Sequence, residues 1–246
     1  MTPPVTNSSS LGALRVSGAE ARAFLQGQLS ADIDALAPAR ALLASCNSVQ
    51  GRVQAVLWLV ERSDGIWLIL PASMVERVAT RLRKYVLRSQ VKIEESPAAI
   101  DLPEPHAYRE PEWRLAGIRA GLPQVYPETH EAFVAQMLNL DLLGGVSFEK
   151  GCYTGQEIIA RTHFRGAIKR RMFRFASSSP PPAPGTRILV GDQHAGDVVD
   201  AAATSAGSEL LAVINLTQQD AALELQGVAL RKLPLPYAID VGQASA

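Results

Sequence analysis

The first 96 residues alternate strand and helix patterns in an order that narrows the choice of folds. In the strand patterns apolar side chains cluster or alternate, and in the helix patterns they recur three and four residues apart. Strands are predicted at residues 11–16, 40–47, 52–60, 66–70 and 91–94, and helices at residues 21–29 and 74–86. The order strand, helix, strands, helix, strand is typical of a split β-α-β unit of the ferredoxin-like kind.

A serine- and proline-rich run at residues 177–184 marks the clearest boundary in the chain, because such a run cannot pack a core. Short β patterns separated by glycine turns follow the run and predict a small antiparallel barrel or sandwich. Ahead of the run, the prolines of residues 96–111 predict a connector. Residues 113–118 predict a strand, and residues 133–138 predict a short helix.

We therefore predict an α+β protein of three domains. Residues 1–105 form a ferredoxin-like α+β domain, residues 106–175 form a second α+β domain, and residues 176–246 form a C-terminal β-barrel-like domain. The length of 246 residues and the hydrophobic content of 47% allow this division, because they suffice for sizeable apolar cores.

Charge and cysteine content argue against a strongly charged binding protein, a disulfide-stabilised fold and a zinc site. The 24 Lys and Arg residues balance 24 Asp and Glu residues, so attraction to nucleic acid or membrane has to come from a local patch. Two cysteines are too few for a disulfide framework, although one Cys46–Cys152 bridge stays an alternative to two reduced thiols. Cys46 lies in a strand pattern, and we interpret it as structural. The histidines and cysteines have no zinc-ligand spacing, so we predict no bound metal.

We expect a cytoplasmic location for this chain. No stretch approaches the ~20 apolar residues of a membrane span, so no contact with a membrane is predicted. Residues 1–10 hold no basic residue and no apolar run, and they therefore do not match a signal or transit peptide.

Cys152 lies in a motif that sets it apart from the rest of the chain. The motif is Lys150-Gly151-Cys152-Tyr153-Thr154-Gly155-Gln156-Glu157. Thr154 and Glu157 match a capping box, which predicts a helix that continues to about residue 163. Cys152 would then precede a helix N-terminus, where free N–H groups favour a thiolate, and Lys150 would add positive potential.

The residues of this motif also have ordinary structural interpretations. Gly151 and Gly155 would permit tight backbone geometry and the close approach of a ligand. Cys152 is equally well interpreted as a buried residue that fills space. Tyr153 is by default a core aromatic, although its ring could stack on a ligand. Glu157 is more readily a helix cap than a catalytic acid or base.

Residues 161–174 form a dense basic segment without an acidic residue. Its cations are Arg161, Arg165, Lys169, Arg170, Arg171 and Arg174. The aromatic residues His163, Phe164 and Phe173 lie between them. In a chain of zero net charge this segment is a candidate site for an anion, whether phosphate, polycarboxylate or RNA. The alternative is a solvated face whose charge is balanced by acidic residues elsewhere in the fold.

The eight-residue motif around Cys152 resembles the K-G-C-Y-x-G-Q-E motif of the YgfZ family. That family consists of folate-binding proteins related to the T-protein, the aminomethyltransferase of the glycine cleavage system. The segments that also resemble the family are residues 24–28, 51–53, 119–123, 136–141, 160–161 and 166–171. The resemblance covers roughly residues 11–175 and, more loosely, the C-terminal part. One departure is Gln50, at a turn where relatives often have lysine.

The resemblance implies a T-protein-like, three-part ring around a folate-binding channel, with tetrahydrofolate or a derivative as the cofactor. It also implies a role in the assembly or repair of iron–sulfur proteins, such as radical enzymes that thiolate tRNA, with the motif cysteine as the key thiol. We predict folate contacts at Arg119, Asn139, Glu157, Arg161 and Lys169, where basic side chains would meet the glutamate tail.

Three hypotheses are consistent with these residues. The first is a folate-dependent accessory factor that supports tRNA modification indirectly, through iron–sulfur proteins. The second is a one-carbon transferase acting on an aminomethyl group, which is weakened because the catalytic aspartate of the T-protein has no counterpart in this chain. The third is a tRNA-binding module that uses residues 161–174. It ranks last because the net charge is zero and no RNA-binding motif occurs.

Overall fold

The structure, a computed structural model, describes residues 11–38, 40–96, 112–166 and 168–239. Its helices and strands, in chain order, are β1 (Leu11–Ser17), α1 (Ala21–Gln28), β2 (Leu42–Asn47), β3 (Val53–Arg62), β4 (Gly65–Pro71), α2 (Val75–Arg83), β5 (Lys92–Ser96), α3 (Glu112–Ala120), α4 (Gln156–Arg165), β6 (Arg170–Ser177), β7 (Arg187–Val190), β8 (Gln193–Thr204), β9 (Gly207–Asn215), β10 (Glu224–Leu225), β11 (Val228–Ala229) and β12 (Arg231–Leu233). Helices and antiparallel sheets together make an α+β protein, as predicted. None of the helices in the described ranges is long and apolar enough to cross a membrane.

The first sheet has the strand order β2-β3-β4-β1-β5, and every neighbouring pair is antiparallel. Strands β3, β4, β1 and β5 have the order of a ferredoxin-like sheet, and β2 extends that sheet by one strand. Helix α1 connects β1 to β2, and α2 connects β4 to β5. Apolar residues such as Leu25 of α1, Leu82 of α2 and Leu14 of β1 share one buried core. The predicted ferredoxin-like unit is confirmed.

The second sheet has the order β11-β10-β7-β8-β9-β6-β12, is antiparallel throughout and is nearly barrel-shaped. It has its own apolar cluster, which includes Phe175, Val198 and Leu210. The small antiparallel barrel predicted for the C-terminal part is thereby confirmed. Strand β6 of this sheet begins at Arg170, ahead of the proline-rich run, and the run connects β6 to β7. The division into three domains stays a prediction.

Helix α3 occupies the residues at which the sequence predicts a strand, so that prediction is wrong. The periodicity of a short apolar stretch does not distinguish a strand from a helix. Tertiary contacts favour the helix, because Trp113 and Ile118 are both buried and Arg114 pairs with Asp200 of β8.

Of two other predicted segments, one is present in the structure and one lies almost wholly outside the described residues. The short helix predicted at residues 133–138 is present as the 3-10 helix Ala135–Leu138. The connector predicted at residues 96–111 lies outside the described residues except for Ser96, and so do residues 1–10.

The segment between α3 and β6 packs against the first sheet. Its residues Phe133, Leu140, Tyr153 and Ile159 belong to the same buried core as the strands of that sheet. This packing places the cysteine motif and helix α4 beside the end of α1 and the turn between β2 and β3.

Candidate functional site

Lys150 fixes the beginning of the cysteine motif to the end of helix α1. Its buried ammonium group donates hydrogen bonds to the carbonyl oxygens of Gln26, Leu29 and Ala31, at 2.7, 2.9 and 2.7 Å. Basic side chains often bind the free carbonyls at a helix C-terminus, where the helix dipole is negative. Burial lowers the pKa of Lys150 to about 8, although two nearby aspartates oppose the shift. Lys150 is therefore an anchor of the motif, whereas the expected role was to add positive potential at the thiol.

Gly155 and Gly51 allow the motif to pack closely against the turn that connects β2 to β3. Gly155 has a φ of 82°, and a Cβ atom there would lie 2.4 Å from the carbonyl oxygen of Ser48. Gly51 has a φ of 70°, and a Cβ atom there would lie 2.9 Å from the Cβ atom of Ile158. Only glycine combines this backbone conformation with so close an approach. The expected close approach at Gly155 thus involves another part of the chain.

Helix α4 begins at Gln156, with Gly155 as its N-cap and no capping side chain. The capping box predicted from Thr154 and Glu157 is therefore wrong, because the left-handed conformation of Gly155 delays the start of the helix. The Gln156 side chain instead accepts a hydrogen bond from the Tyr153 amide at 3.3 Å. Glu157 is exposed in the first helical turn, where a carboxylate interacts favourably with the helix dipole.

Cys152 and Gly151 form the exposed tip of the motif. Cys152 is a free, exposed cysteine, and Cys46 is free but fully buried. Burial raises the pKa of the Cys46 thiol, which agrees with a structural role. The two cysteines form no disulfide, and Cys152 does not fill space in a core. Its thiol faces outward from a loop whose flanking residues are fixed.

Two buried polar atoms beside the motif have no hydrogen-bond partner among the described residues. They are the Nδ2 atom of Asn47, the last residue of β2, and the Oη atom of Tyr153. The Tyr153 side chain is 6% exposed, as expected of a core aromatic, and burial raises the pKa of its hydroxyl to about 12. A Cβ atom on Gly155 would lie 3.2 Å from the Cβ atom of Asn47, so Asn47 adjoins the motif.

Two of the residues predicted to contact folate are engaged by other parts of the protein. Arg119 of α3 pairs with Glu209 of β9 at 2.8 Å. Asn139 is fully buried, and its side chain donates hydrogen bonds to the carbonyl oxygen of Met172 at 2.8 Å and to the Tyr237 hydroxyl at 3.3 Å. Both residues thus connect the segments around the second sheet.

The basic segment at residues 161–174 divides into a paired half and an unpaired half. The paired cations and their acidic partners are Arg170–Asp197, Arg171–Asp141 and Arg174–Glu209, at 3.8, 2.6 and 2.7 Å. Arg161, Arg165 and Lys169 are exposed and have no ion pair or side-chain hydrogen bond within the described part of the chain. The free positive charge is therefore concentrated on helix α4 and the residues that follow it.

Sequence reasoning missed two contributors to this region. Ser48 forms the turn against which Gly155 packs, and the Gln50-Gly51 pair was the available signal for that turn. Phe148 stacks on His163 of α4, and nothing in the sequence pattern connects these two residues. Among residues 11–38, 40–96, 112–166 and 168–239, no three His, Cys, Asp or Glu side chains are grouped so that they could hold a metal ion.

The fold is similar to that of a known transferase. The glycine cleavage system aminomethyltransferase T from Bartonella henselae matches with a TM-score of 0.70 over 93% of this chain and 84% of that one. The sequence identity is 12%, so the likeness establishes the fold. The molecule is thus a protein of the aminomethyltransferase T fold class with an exposed cysteine on a fixed loop. No model of a known protein family matches the chain.

Curated relatives cover nearly the whole chain. The tRNA-modifying protein YgfZ of Klebsiella pneumoniae is 28% identical over 294 residues, which span 92% of this chain and 90% of the relative. The protein of the same name in Escherichia coli is 26% identical over the same shares. An uncharacterized protein of Haemophilus influenzae is 31% identical over 66% of this chain and 69% of its own length. These relatives confirm the resemblance of the chain to the YgfZ family.

Proposed function

We propose that this protein is a tetrahydrofolate-binding accessory factor for the assembly or repair of iron–sulfur proteins, and that it thereby supports tRNA modification. The observation that carries the proposal is the exposed thiol of Cys152 on a loop fixed by Lys150 and Gly155. Relatives named tRNA-modifying proteins and a structural neighbour from the glycine cleavage system support it. The proposed location is the cytoplasm, where thiols stay reduced.

The residues near the loop fit tetrahydrofolate. Arg161 and Lys169 are exposed cations without a protein partner in the described ranges, and they would bind the glutamate carboxylates by charge-assisted hydrogen bonds. Asn47 Nδ2 and Tyr153 Oη are buried donors without a partner among the same residues, and they would bind the polar edge of a pterin ring only after a local opening exposes them. When bound, tetrahydrofolate would supply a carrier for a one-carbon unit.

The other three residues predicted to contact folate are Glu157, Arg119 and Asn139, and the proposal assigns none of them a main folate contact. Glu157 would stabilise the N-terminus of α4 by its favourable interaction with the helix dipole. Arg119 and Asn139 would have to exchange their present protein partners before they could touch folate. We propose no folate contact for these two residues.

An exposed thiol suits a client that is itself a protein. The thiolate form of cysteine is both a nucleophile and a metal ligand. Because Cys152 lies at the tip of its loop, its sulfur can reach a sulfur species or a cluster that a large client presents. The anchored flanks hold the thiol in one place while such a client docks.

The thiol role is tested with Cys152→Ala and Cys152→Ser in a strain that lacks the factor. We expect both variants to lose complementation while their thermal unfolding and folate binding, measured by calorimetry, match the parent protein. Full complementation by Cys152→Ala would show that the thiol is not needed. Failure of the parent protein to bind folate would separately contradict the cofactor assignment.

The folate contacts are tested with a double variant, Arg161→Gln with Lys169→Gln. We expect weaker folate binding, and a larger loss for polyglutamylated folate than for the monoglutamate, because the longer tail carries more carboxylates. Arg187→Gln is the matched control, since Arg187 is an exposed arginine on β7. Equal binding by the double variant and the control would contradict the assignment of these cations.

The fold favours a second candidate, a folate-dependent one-carbon transferase, because the structural neighbour is an aminomethyltransferase. This candidate predicts turnover when tetrahydrofolate and an aminomethyl donor are both supplied. Folate binding without any turnover would leave the accessory role as the better account.

A further inference from the structure

Two aromatic rings in the C-terminal half of helix α4, those of His163 and Phe164, contact the ring of Phe148 and each other. Phe148 and His163 are stacked, with ring centroids 3.8 Å apart and an angle of 16° between the ring planes. Phe164 meets both edge-on, at 4.7 Å from His163 and 6.0 Å from Phe148. We call these three residues the ring cluster. Its members come from two segments, so their relative orientation is set by the tertiary fold.

The ring cluster is open to solvent. Phe164 is 69% exposed, and His163 is also exposed. A single exposed apolar side chain needs no explanation. An exposed ring that two other rings hold in a fixed edge-to-face geometry is different, because its face is already oriented for a flat ligand. The cluster thus offers a preformed stacking platform.

Three unpaired cations lie close to His163 and Phe164 in the sequence. Arg161 precedes Phe164 by three residues and Arg165 by four, so its side chain shares a helix face with each of them, and Arg165 directly follows Phe164 in the chain. Neither arginine has an acidic partner among the described residues. Lys169, which lies beyond the end of the helix, has no acidic partner among those residues either. The acidic residue of the helix, Glu157, is about 10 Å from Phe164 along the helix axis.

We propose that the ring cluster, together with Arg161 and Arg165, forms a binding surface for single-stranded nucleic acid. Such a strand presents flat bases with free faces and one negative charge per nucleotide. Bases would stack on Phe164, and the two guanidinium groups would bind the flanking phosphates. An acidic peptide would satisfy the cations but would leave the rings without a stacking partner.

This inference goes beyond the proposed function, and of its residues only Arg161 is also a proposed folate contact. It assigns a role to Phe148, His163 and Phe164, none of which takes part in the folate proposal. It also narrows the basic segment to its unpaired half, because Arg170, Arg171 and Arg174 are neutralised by acidic residues.

The experiment measures fluorescence anisotropy of labelled RNA and DNA strands of about 12 nucleotides with the full chain at low salt. We expect Phe164→Ala to weaken binding about tenfold, because stacking on this ring is lost. Arg165→Gln should weaken binding and reduce the dependence of log K on log salt by about 0.7, which corresponds to one phosphate contact on a single strand. RNA and DNA strands of the same sequence distinguish the two sources of this chemistry.

Matched controls separate the surface from general effects. Leu87→Ala removes an apolar side chain that is 89% exposed, and Arg187→Gln removes an exposed arginine of the second sheet. Both should bind nucleic acid as the parent does, and all variants should keep the thermal stability of the parent. Phe164→Ala should also keep folate affinity, which separates this proposal from the folate proposal. The inference is overturned if neither strand binds, if Phe164→Ala binds as tightly as the parent, or if a duplex of the same sequence binds more tightly than the single strands.

Discussion

Gly155 and Gly51 approach each other so closely that neither position has room for a side chain. A Cβ atom on Gly155 would lie 3.1 Å from the Cα atom of Gly51, and both residues have a positive φ. One glycine belongs to the turn between β2 and β3, and the other precedes helix α4. The orientation of the Cys152 loop thus depends on a contact between segments that lie far apart in the sequence.

Replacement of Gly155 by alanine should destabilise the protein. The added methyl group would meet the carbonyl oxygen of Ser48 in a backbone conformation that alanine rarely adopts. We expect the free energy of unfolding to fall by about 2–4 kcal/mol, measured by urea denaturation. Gly151→Ala is the control, because no atom lies within 4 Å of that Cβ position, and it should change stability by less than about 0.5 kcal/mol. Equal effects of the two substitutions would contradict the interlocking of the glycines.

Replacement of Lys150 by methionine should also destabilise the protein. The substitution keeps an unbranched side chain that is one atom shorter, but it leaves the carbonyl oxygens of Gln26, Leu29 and Ala31 without their donor. We expect a loss of about 3–5 kcal/mol in chemical denaturation. Lys169→Met removes an exposed lysine and should be almost neutral. A neutral Lys150→Met variant would show that the carbonyls find other partners.

The two cysteines should differ in their reaction with a small alkylating reagent. In the native protein Cys152 is exposed and Cys46 is fully buried. Brief treatment with iodoacetamide should therefore add one label per chain, at Cys152, and a second label should appear only in denaturant. Peptide mass spectrometry identifies the site, and native Cys152→Ser should remain unlabelled. Labelling of native Cys46 at a comparable rate would contradict its burial.

The stability of the protein should depend on pH through Asp200. This carboxylate is buried, pairs with Arg114 at 2.6 Å and accepts a hydrogen bond from the Tyr126 hydroxyl at 3.2 Å. Burial is the largest influence on its pKa and raises it to about 6 from an ordinary value of 3.8, although Arg114 opposes the shift. The folded protein thus keeps this proton to a higher pH than the unfolded chain does. The free energy of unfolding should fall by about 2 kcal/mol as the pH rises from about 4 to 6, out of a total of about 3 kcal/mol over the whole titration.

Asp200→Asn provides the comparison for this pH effect, because it removes the titrating group at nearly constant shape. The difference in unfolding free energy between parent and variant, measured at a series of pH values, isolates the contribution of Asp200 from that of other carboxylates. A difference that stays constant between about pH 4 and pH 6 would contradict the raised pKa.

Much of the fold follows from local patterns in the sequence. The periods of the apolar residues, the turn residues and the proline-rich run were sufficient for the order of elements in the first sheet and for the antiparallel sheet at the C-terminal end. They failed at residues 113–118, where apolar residues compatible with a strand form helix α3. Arg114 of this helix pairs with Asp200 of β8, and no local pattern in the sequence predicts that contact.

The candidate site likewise has some features that the sequence predicts and others that depend on long-range contacts. The sequence was sufficient to single out Cys152, its flanking glycines and a basic segment, because residue types and their spacing along the chain carry that information. Long-range contacts were needed to bring Lys150 onto the carbonyls of α1, Gly155 against Gly51, and Phe148 onto His163. Exposure of the thiol and neutralisation of half the cations depend on side chains that come together only when the chain is folded.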